Sequence, residues 1–436
     1  MTYRAAVTLP HVRPLVRPLV RPLVRPLVRI GLGAVLASCY VAAMSPGTAQ
    51  AAPATARQID YAQWDSTAEL RAGKVSGAAV ARGRVTLASP TARRSVGGKR
   101  YDAATWESPW VSPGFSFTEL IPSWSAATPG DSFVEVRVRG RDAAGRLSSW
   151  DLLGRWASSD AHLERTTLSG QADDLANVSV DTWRAPAGLG SWQVRVVLAR
   201  RAGTTATPSL DTVGAVTSRL PADAPGTSRP GPARGTVLDV PLYSQMTHTG
   251  HYPQWGGGGE AWCSPTSTSM VLGYYGKLPR PRAYSWVPSG HTDPWVDFAA
   301  RATFDHSYDG TGNWPFNTAY AAPRAGKAFV TRLRSLREAE RFIAAGIPLV
   351  ASVSFGAGEL DGAPISSTAG HLLVIVGFTA TGDVVVNDPA STTRAGVRRT
   401  YDRAQLEDAW LTRSGGLVYV IRDSAHPLPA GSPGNW

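Results

Sequence analysis

The sequence is poor in cysteine, with two among its 436 residues, and this scarcity excludes a small fold held together by several disulfides. One of the two, Cys39, lies in an N-terminal segment that we expect to be removed. Cys263 is then a lone thiol outside the cell, where it has no disulfide partner and is open to oxidation. A nucleophilic role would explain why such a thiol is present. The alternative is a small buried apolar side chain.

Long apolar runs and nucleotide-binding motifs are also missing after residue 51. No segment there is long and apolar enough to span a membrane, and there is neither a phosphate-binding loop nor a dinucleotide fingerprint.

The excess of positive charge is modest. Six of the 44 basic residues lie in residues 1–51, which contain no acidic residue, so 38 basic side chains face 33 acidic ones in the remainder. This balance fits an anionic cell-wall environment and does not require a nucleic-acid partner.

Residues 1–51 have the organisation of a secretory signal peptide. Four Arg-Pro-Leu-Val repeats (13–28) supply a basic region, residues 30–44 are apolar, and residues 49–51 form a small-x-small cleavage site. We therefore predict a secreted, extracellular protein. The alternative is a lipoprotein anchored through Cys39, because residues 36–39 match a lipoprotein cleavage box. The apolar residues that follow this box favour release after Ala51.

Residues 52–218 predict an all-β sandwich. Residues 132–139 and 192–198 alternate between apolar and polar side chains, which is the period of a half-buried strand, and turn residues separate such segments. Eight of the fifteen tryptophans lie here, and two interpretations of them stay open: a face that binds glycan, or packing between the sheets. No motif in this domain carries chemistry, so we interpret it as an accessory domain.

Residues 219–236 are rich in proline, glycine and serine, which predicts a semi-extended linker that does not pack. Residues 237–425 contain both the apolar pattern of helices and that of strands. Helices are predicted over 265–275, with Ser264 as the cap, 336–345 and 403–411, and strands over 329–334, 348–355, 371–378, 383–387 and 417–421. A helix followed by a mainly antiparallel sheet predicts an α+β domain, and the chain is expected to be multidomain.

Three residues of the second domain have the chemistry of a nucleophile, its base and an orienting group. Cys263 directly precedes the helix predicted at 265–275, where unpaired amides and the helix dipole stabilise a thiolate. His371 opens an apolar strand and Asp388 follows the next strand, so a hairpin through residues 381–382 would bring them to the same end. Counted from that turn, the two residues are out of register, and contact requires a bulge or a bend.

Four motifs follow one another in this domain: Val240-Pro-Leu-Tyr-Ser-Gln245, Trp262-Cys-Ser-Pro-Thr-Ser267, Gly370-His371 with Gly377-Phe378, and Asn387-Asp388-Pro389. They resemble the motifs of the bacteriocin-processing-type papain-like cysteine peptidases, in their stand-alone secreted actinobacterial-type branch. The resemblance covers about residues 237–422 and implies a papain-like fold. It also implies Cys263 as nucleophile, His371 as base, Asp388 as the orienting group and Gln245 as a donor to the oxyanion.

The chain departs from this family before the cysteine. Seventeen residues separate Gln245 from Cys263 where the family has only a few, and Cys-Ser replaces the usual Cys-Gly. Other interpretations also stay open for the triad. Cys263 and His371 could be core residues, Asp388 could be a turn residue before proline, and Asn387 could orient the histidine instead.

A metal site is the main rival chemistry. The candidate ligands are His248, His251, His291, Asp293, Asp305 and His306. However, the segment is predicted as loop, whereas zinc sites with adjacent histidines usually lie on a helix with a carboxylate. Residues 305–316 begin like a calcium loop but end in Phe316, where a bidentate glutamate is required. We therefore predict neither a metal nor another cofactor, and we interpret residues 309–314 as a rigid loop beside the cleft.

The sequence thus predicts a secreted cysteine peptidase that hydrolyses a peptide or cell-wall peptide through an acyl-enzyme. Trp255, Trp262 and Trp314 either line the substrate cleft or pack inside the domain. Two alternatives stay open. One is a cell-wall amidase or transferase on the same fold, and the other is a non-catalytic surface protein with a decayed peptidase fold that binds glycan or peptide.

Overall fold

The computed structural model describes residues 56–223 and 225–436. The predicted signal peptide (1–51) and the alternative lipoprotein cysteine, Cys39, lie outside these ranges. Within them, no helix combines the length and the apolar character needed to cross a membrane.

The N-terminal half is built almost entirely from antiparallel strands. In chain order they are β1 (Gln58–Trp64), β2 (Lys74–Ser76), β3 (Ala78–Ala81), β4 (Arg84–Leu87), β5 (Ala92–Val96), β6 (Lys99–Glu107), β7 (Phe117–Ala127), β8 (Ser132–Arg141), β9 (Asp151–Trp156), β10 (Asn177–Ser179), β11 (Thr182–Leu189), β12 (Ser191–Arg201) and β13 (Ser209–Arg219), with the short helix α1 (Thr67–Arg71) after β1. One sheet has the order β10-β11-β7-β13-β4-β3, with β1 paired to β13. The other has the order β2-β6-β12-β8-β9, with β5 paired to β6.

The two sheets share an apolar core, as the alternating sequence pattern predicts. Val134, Val136 and Val138 of β8 are fully buried. Across the core, the ring of Trp64 in the first sheet lies 5.5 Å from that of Trp106 in the second. The predicted all-β sandwich is therefore confirmed.

Most of the tryptophans of this half fill the core. The buried ones are Trp64, Trp106, Trp124, Trp156, Trp183 and Trp192. Trp110 and Trp150 are half-buried, and guanidinium groups lie on their rings: Arg141 is 4.0 Å from the ring centroid of Trp110, and Arg195 is 4.0 Å from that of Trp150. A sugar stacked on these two rings would compete with the arginines, and glycan binding stays one of the two interpretations of this domain.

The C-terminal half combines helices with one six-stranded antiparallel sheet, which confirms the predicted α+β architecture. Its elements are α2 (Cys263–Tyr274), α3 (Pro294–Thr303), α4 (Trp314–Ala325), β14 (Lys327–Arg332), α5 (Leu336–Ala344), β15 (Leu349–Phe355), β16 (Thr368–Phe378), β17 (Val384–Asn387), β18 (Arg398–Tyr401), α6 (Arg403–Ser414) and β19 (Leu417–Arg422). The sheet order is β14-β19-β15-β16-β17-β18. Helix α2 packs on one side of β16, and α5 and α6 pack on the opposite side of the sheet.

Two helices and one strand of this half were not predicted. Helix α3 begins with a proline after Asp293, whose backbone is left-handed (φ 49°). Helix α4 begins after Asn313, whose side chain accepts a hydrogen bond of 3.0 Å from the Phe316 N–H, so residues 309–314 lead into a helix. These starts were missed because α4 contains prolines at both ends and neither helix is flanked by a long apolar pattern.

The start of α2 also differs from the prediction. The helix begins at Cys263 itself, and the preceding residue, Trp262, makes no side-chain capping bond. Ser264, predicted as the cap, is instead a helical residue whose hydroxyl lies 2.9 Å from the Tyr419 hydroxyl. The first amides of α2 therefore have no side-chain acceptor at the cap position, which leaves the helix start available to a charged group.

The prediction that residues 219–236 do not pack is wrong. Ala233 is fully buried, and the Gly231 N–H donates a hydrogen bond of 2.6 Å to Oε2 of Glu340 on α5. The Gly235 N–H donates one of 3.0 Å to the carbonyl of Phe378 at the end of β16. A proline- and glycine-rich segment cannot form a regular helix, but its free backbone groups can still be bonded by a carboxylate and a strand end.

The two halves form one compact unit over the described residues and share a continuous apolar core. The ring of Phe316 on α4 lies 5.3 Å from that of Trp156 and 6.1 Å from that of Trp124 in the sandwich. The backbone N–H of Val330 on β14 donates a hydrogen bond of 2.8 Å to Oγ of Ser123 on β7. The sandwich is therefore packed directly against the second half.

Candidate active site

Cys263 is the first residue of α2 and is partly exposed. The backbone N–H groups of Ser264, in the helix, and Leu372, in β16, help to lower the pKa of its thiol. Ser267 donates a hydrogen bond of 3.1 Å to the carbonyl of Leu372 and so fixes the helix on that strand. The thiol is thus held at the junction of a helix start and a strand, where amide dipoles favour a thiolate.

One bulge in the sheet accounts for the contact between His371 and Asp388. Phe378 pairs with Val384 near the hairpin, but the register shifts between Ile375 and Gly377, so that further along Val374 pairs with Asn387. The shift moves the end of β17, and with it Asp388, by one residue along β16 towards His371.

The resulting contact is short and buried. Nε2 of His371 lies 2.8 Å from Oδ1 of Asp388, and both side chains are almost completely buried. This leaves Nδ1 as the ring nitrogen available to Cys263. The alternative orienting group, Asn387, does not reach the histidine: its Nδ2 donates to the carbonyls of Val240 and Pro241.

Two further groups hold the Asp388 carboxylate. The Tyr401 hydroxyl on β18 donates a hydrogen bond of 2.7 Å to Oδ2, and the Ala390 N–H donates one of 3.0 Å to Oδ1. Tyr401 was missed by sequence reasoning because no local motif links it to the triad. Only the pairing of β17 with β18 brings it near.

The electrostatics of the site favour an ion pair. Burial raises the pKa of the Cys263 thiol, but hydrogen bonding to His371 and its charge outweigh burial and hold the pKa below the ordinary value. Burial lowers the pKa of His371, whereas the charge and hydrogen bond of Asp388 and the contact with Cys263 raise it to about 10. At neutral pH these opposite shifts favour a thiolate beside an imidazolium.

Gln245 contacts residues that flank Cys263 and Asp388 in the chain, despite the seventeen residues between Gln245 and Cys263. It begins a 3₁₀ helix (Gln245–His248), is buried, and its backbone N–H donates a hydrogen bond of 2.9 Å to the carbonyl of Pro389, next to Asp388. Its side-chain Nε2 donates to the carbonyl of Glu260, three residues before Cys263. One N–H of this amide is therefore engaged and the second is available to another acceptor.

A cavity of about 680 Å³ opens beside Cys263 and has walls from both halves of the chain. The α+β half contributes Gly370, Leu372 and Trp314, and the sandwich contributes Asp181 and Arg184. Burial raises the pKa of Asp181 to about 6, and its Oδ2 accepts a hydrogen bond of 3.1 Å from the Trp314 N–H. Of the three tryptophans considered for the cleft, Trp314 lines the cavity and Trp262 is fully buried.

The six candidate metal ligands do not come together in one site. His248, His251 and His291 gather around Asp297 of α3, a carboxylate that sequence reasoning missed because it lies in an unpredicted helix. Asp293 instead pairs with Arg394. Asp305 and His306 lie elsewhere: Asp305 accepts hydrogen bonds from Thr167 and Asn313, and His306 lies 3.7 Å from Glu164.

Comparison with known protein families gives two matches that together cover most of the described chain. Residues 60–218 match the model described as the Peptidase C39 N-terminal domain, and residues 237–418 match the model described as the Peptidase_C39 like family. No curated protein sequence matches the chain. The second match supports a papain-like peptidase fold for the half that holds Cys263, and the first covers the sandwich that forms the other wall of the cavity. With both halves matched in this order, the chain is similar over most of its length to the C39-type peptidases of the actinobacterial-type branch.

Proposed function

We propose that this protein is a secreted cysteine peptidase that hydrolyses a peptide bond through a thioester acyl-enzyme. The observation that carries the proposal is the placement of His371 between Cys263 and Asp388, with Nε2 of the histidine 2.8 Å from the carboxylate. A nucleophile, a base and an orienting group in this arrangement form the common unit of nucleophilic amide hydrolysis.

In acylation, the Cys263 thiolate attacks the carbonyl carbon of the substrate and forms a tetrahedral intermediate. The His371 imidazolium donates its proton to the leaving amine as the carbon–nitrogen bond breaks, which leaves a thioester on Cys263. Asp388 keeps the ring oriented and stabilises its positive charge. The pKa of His371, raised to about 10, keeps that proton in place at neutral pH.

Two kinds of donor support the oxyanion in this mechanism. The first is the set of backbone N–H groups at the start of α2, which have no side-chain acceptor at the cap position. The second is the side-chain amide of Gln245, which has one N–H bonded to the Glu260 carbonyl and another available. Donors fixed in this way stabilise the negative charge that develops on the carbonyl oxygen.

Deacylation reverses the proton transfers. Neutral His371 takes a proton from a water molecule, the resulting hydroxide attacks the thioester carbon, and the carbon–sulfur bond breaks. The products are a carboxylic acid and the regenerated thiolate, with the proton on His371. A transferase would follow the same path with an amine in place of water.

Trapping of the thiol tests the nucleophile directly. The chain is treated with iodoacetamide between pH 5 and 10, and labelling of Cys263 is followed by mass spectrometry. We expect rapid labelling well below the ordinary thiol pKa of about 8.5. Labelling that follows an unperturbed thiol would overturn the proposal and favour a non-catalytic binding protein.

Product analysis then tests the reaction. The protein and its Cys263→Ala variant are incubated with unstructured peptides and, separately, with peptidoglycan fragments. New peptide termini from the unstructured peptides, absent with the variant, support a peptidase. Cleavage or transfer confined to the peptidoglycan fragments would instead assign a cell-wall amidase or transferase.

A further inference from the structure

A cluster of three histidines around one buried carboxylate lies outside the proposed catalytic triad. Nδ1 of His248 is 3.0 Å from Oδ2 of Asp297, and Nδ1 of His251 is 2.9 Å from Oδ1. The ligand atoms of these three residues all lie within 4.8 Å of one another. Two imidazole nitrogens and one carboxylate oxygen are the donors that divalent zinc prefers in proteins.

The cluster is largely enclosed by protein. Asp297 and His248 are fully buried, and His251 is partly exposed. Buried charged groups in proteins are generally paired or bound to a metal.

The two nitrogens of the His248 ring have different surroundings. Nδ1 faces Asp297, whereas Nε2 is buried and has no hydrogen-bond partner among the described residues. Hydrogen bonds therefore satisfy only one side of this ring.

His291 packs against the cluster but is not one of the proposed ligands. Its ring stacks on that of His251, with centroids 3.6 Å apart and an interplanar angle of 17°. Two parallel rings at this separation cannot both direct a nitrogen lone pair at one ion. His248, His251 and Asp297 are then the protein ligands, and one position of a tetrahedral ion is left to water, because His251 is partly exposed.

We propose that His248, His251 and Asp297 bind a divalent transition-metal ion, with zinc the best match, and that the ion fixes the segment before Cys263 onto α3. His248 ends the 3₁₀ helix that Gln245 begins. Its carbonyl also lies so close to Gly259 that a Cβ there would be only 2.0 Å away. The ion would therefore hold both ends of the seventeen-residue insertion. Its influence on Gln245 rests on the proposed function, whereas the binding of the ion does not.

The test measures metal binding and not activity. The Cys263→Ala variant of the chain is stripped with a chelator, so that the thiol cannot bind zinc, and is titrated with Zn²⁺ by calorimetry. We expect one saturable site per chain. Adding His251→Gln should weaken binding by more than the roughly 10–100-fold that changes in supporting groups around a metal cause. The matched control is His306→Gln, whose histidine lies beside Glu164 and outside the cluster.

Co²⁺ gives an independent readout, because a tetrahedral site produces visible absorption bands that a hydrogen-bonded cluster does not. Circular dichroism checks that the His251→Gln protein is folded. Absence of saturable binding to the Cys263→Ala protein, or equal binding by the His251→Gln protein, would overturn the proposal and leave a cluster held by hydrogen bonds alone. Neither result depends on the peptidase proposal.

Discussion

The hydroxyl of Tyr401 donates a hydrogen bond of 2.7 Å to Oδ2 of Asp388. The other oxygen of this carboxylate faces His371, so Tyr401 fixes the rotation of the group that orients the proposed base. Tyr401 comes from β18, which follows Asp388 in the chain and returns beside β17. The orientation of the histidine thus depends on a strand that carries none of the three triad residues.

Tyr401→Phe removes this hydrogen bond and leaves the packing of the ring. Because a hydrogen bond to a charged group contributes about 1.5–3 kcal/mol, we expect kcat/KM to fall by roughly 10-fold or more. Peptide cleavage by the two proteins measures the effect. The control is Tyr320→Phe, since the buried Tyr320 hydroxyl has no partner among the described residues. Equal activity of the two variants would argue against a role for Tyr401.

Asp388→Asn keeps the shape of the side chain but removes its charge. The charge of Asp388 raises the pKa of His371, so its loss lowers that pKa and removes the imidazolium that holds the pKa of Cys263 down. We expect the pH midpoint of iodoacetamide labelling of Cys263 to move upward, towards that of a free thiol. We also expect kcat to fall by roughly 10²-fold or more, the range of acid–base contributions. An unchanged labelling midpoint would contradict the proposed coupling.

Arg184 tests whether the sandwich takes part in substrate binding. This side chain lines the cavity, is about half exposed and pairs with Glu119 at 3.2 Å. Arg184→Ala should raise KM by roughly 3-fold with little change in kcat, because an exposed charged contact contributes about 1 kcal/mol or less. Arg93→Ala, on an exposed strand away from the cavity, is the control. A change in kcat alone would contradict a binding role.

Phe316→Ala tests the shared core. Phe316 is fully buried between Trp124 and Trp156, so truncation leaves a cavity between the two halves and should cost about 3–5 kcal/mol. We expect one cooperative thermal transition, shifted downward, by calorimetry. The control is Leu168→Ala at an exposed position, where effects usually stay within about 0.5 kcal/mol. Two transitions, with the sandwich unaffected, would contradict a common core.

The sequence predicted those elements of the molecule whose structure depends on a local residue pattern. Strands β8, β12 and β16 were predicted because alternating apolar and polar residues, or a continuous apolar run, indicate which side chains are buried. The approach of His371 and Asp388 at one end of a hairpin, and the need for a bulge or a bend, also followed from spacing. Asp297 and Tyr401 could not be found in this way, since their roles depend on which elements pack together. The packing of the sandwich on α4 was missed for the same reason: a buried Trp156 gives no sign of which surface covers it.

The shared core has a consequence for how this protein could be altered. If the half that holds Cys263 were grafted beside a different sandwich, Phe316 and the cavity wall at Trp314 would lose the aromatic and acidic side chains that now face them. The graft would expose apolar surface and widen the cleft at once. Replacing one half with that of another protein is therefore expected to give a folded protein only if the residues on both sides of the junction are changed together.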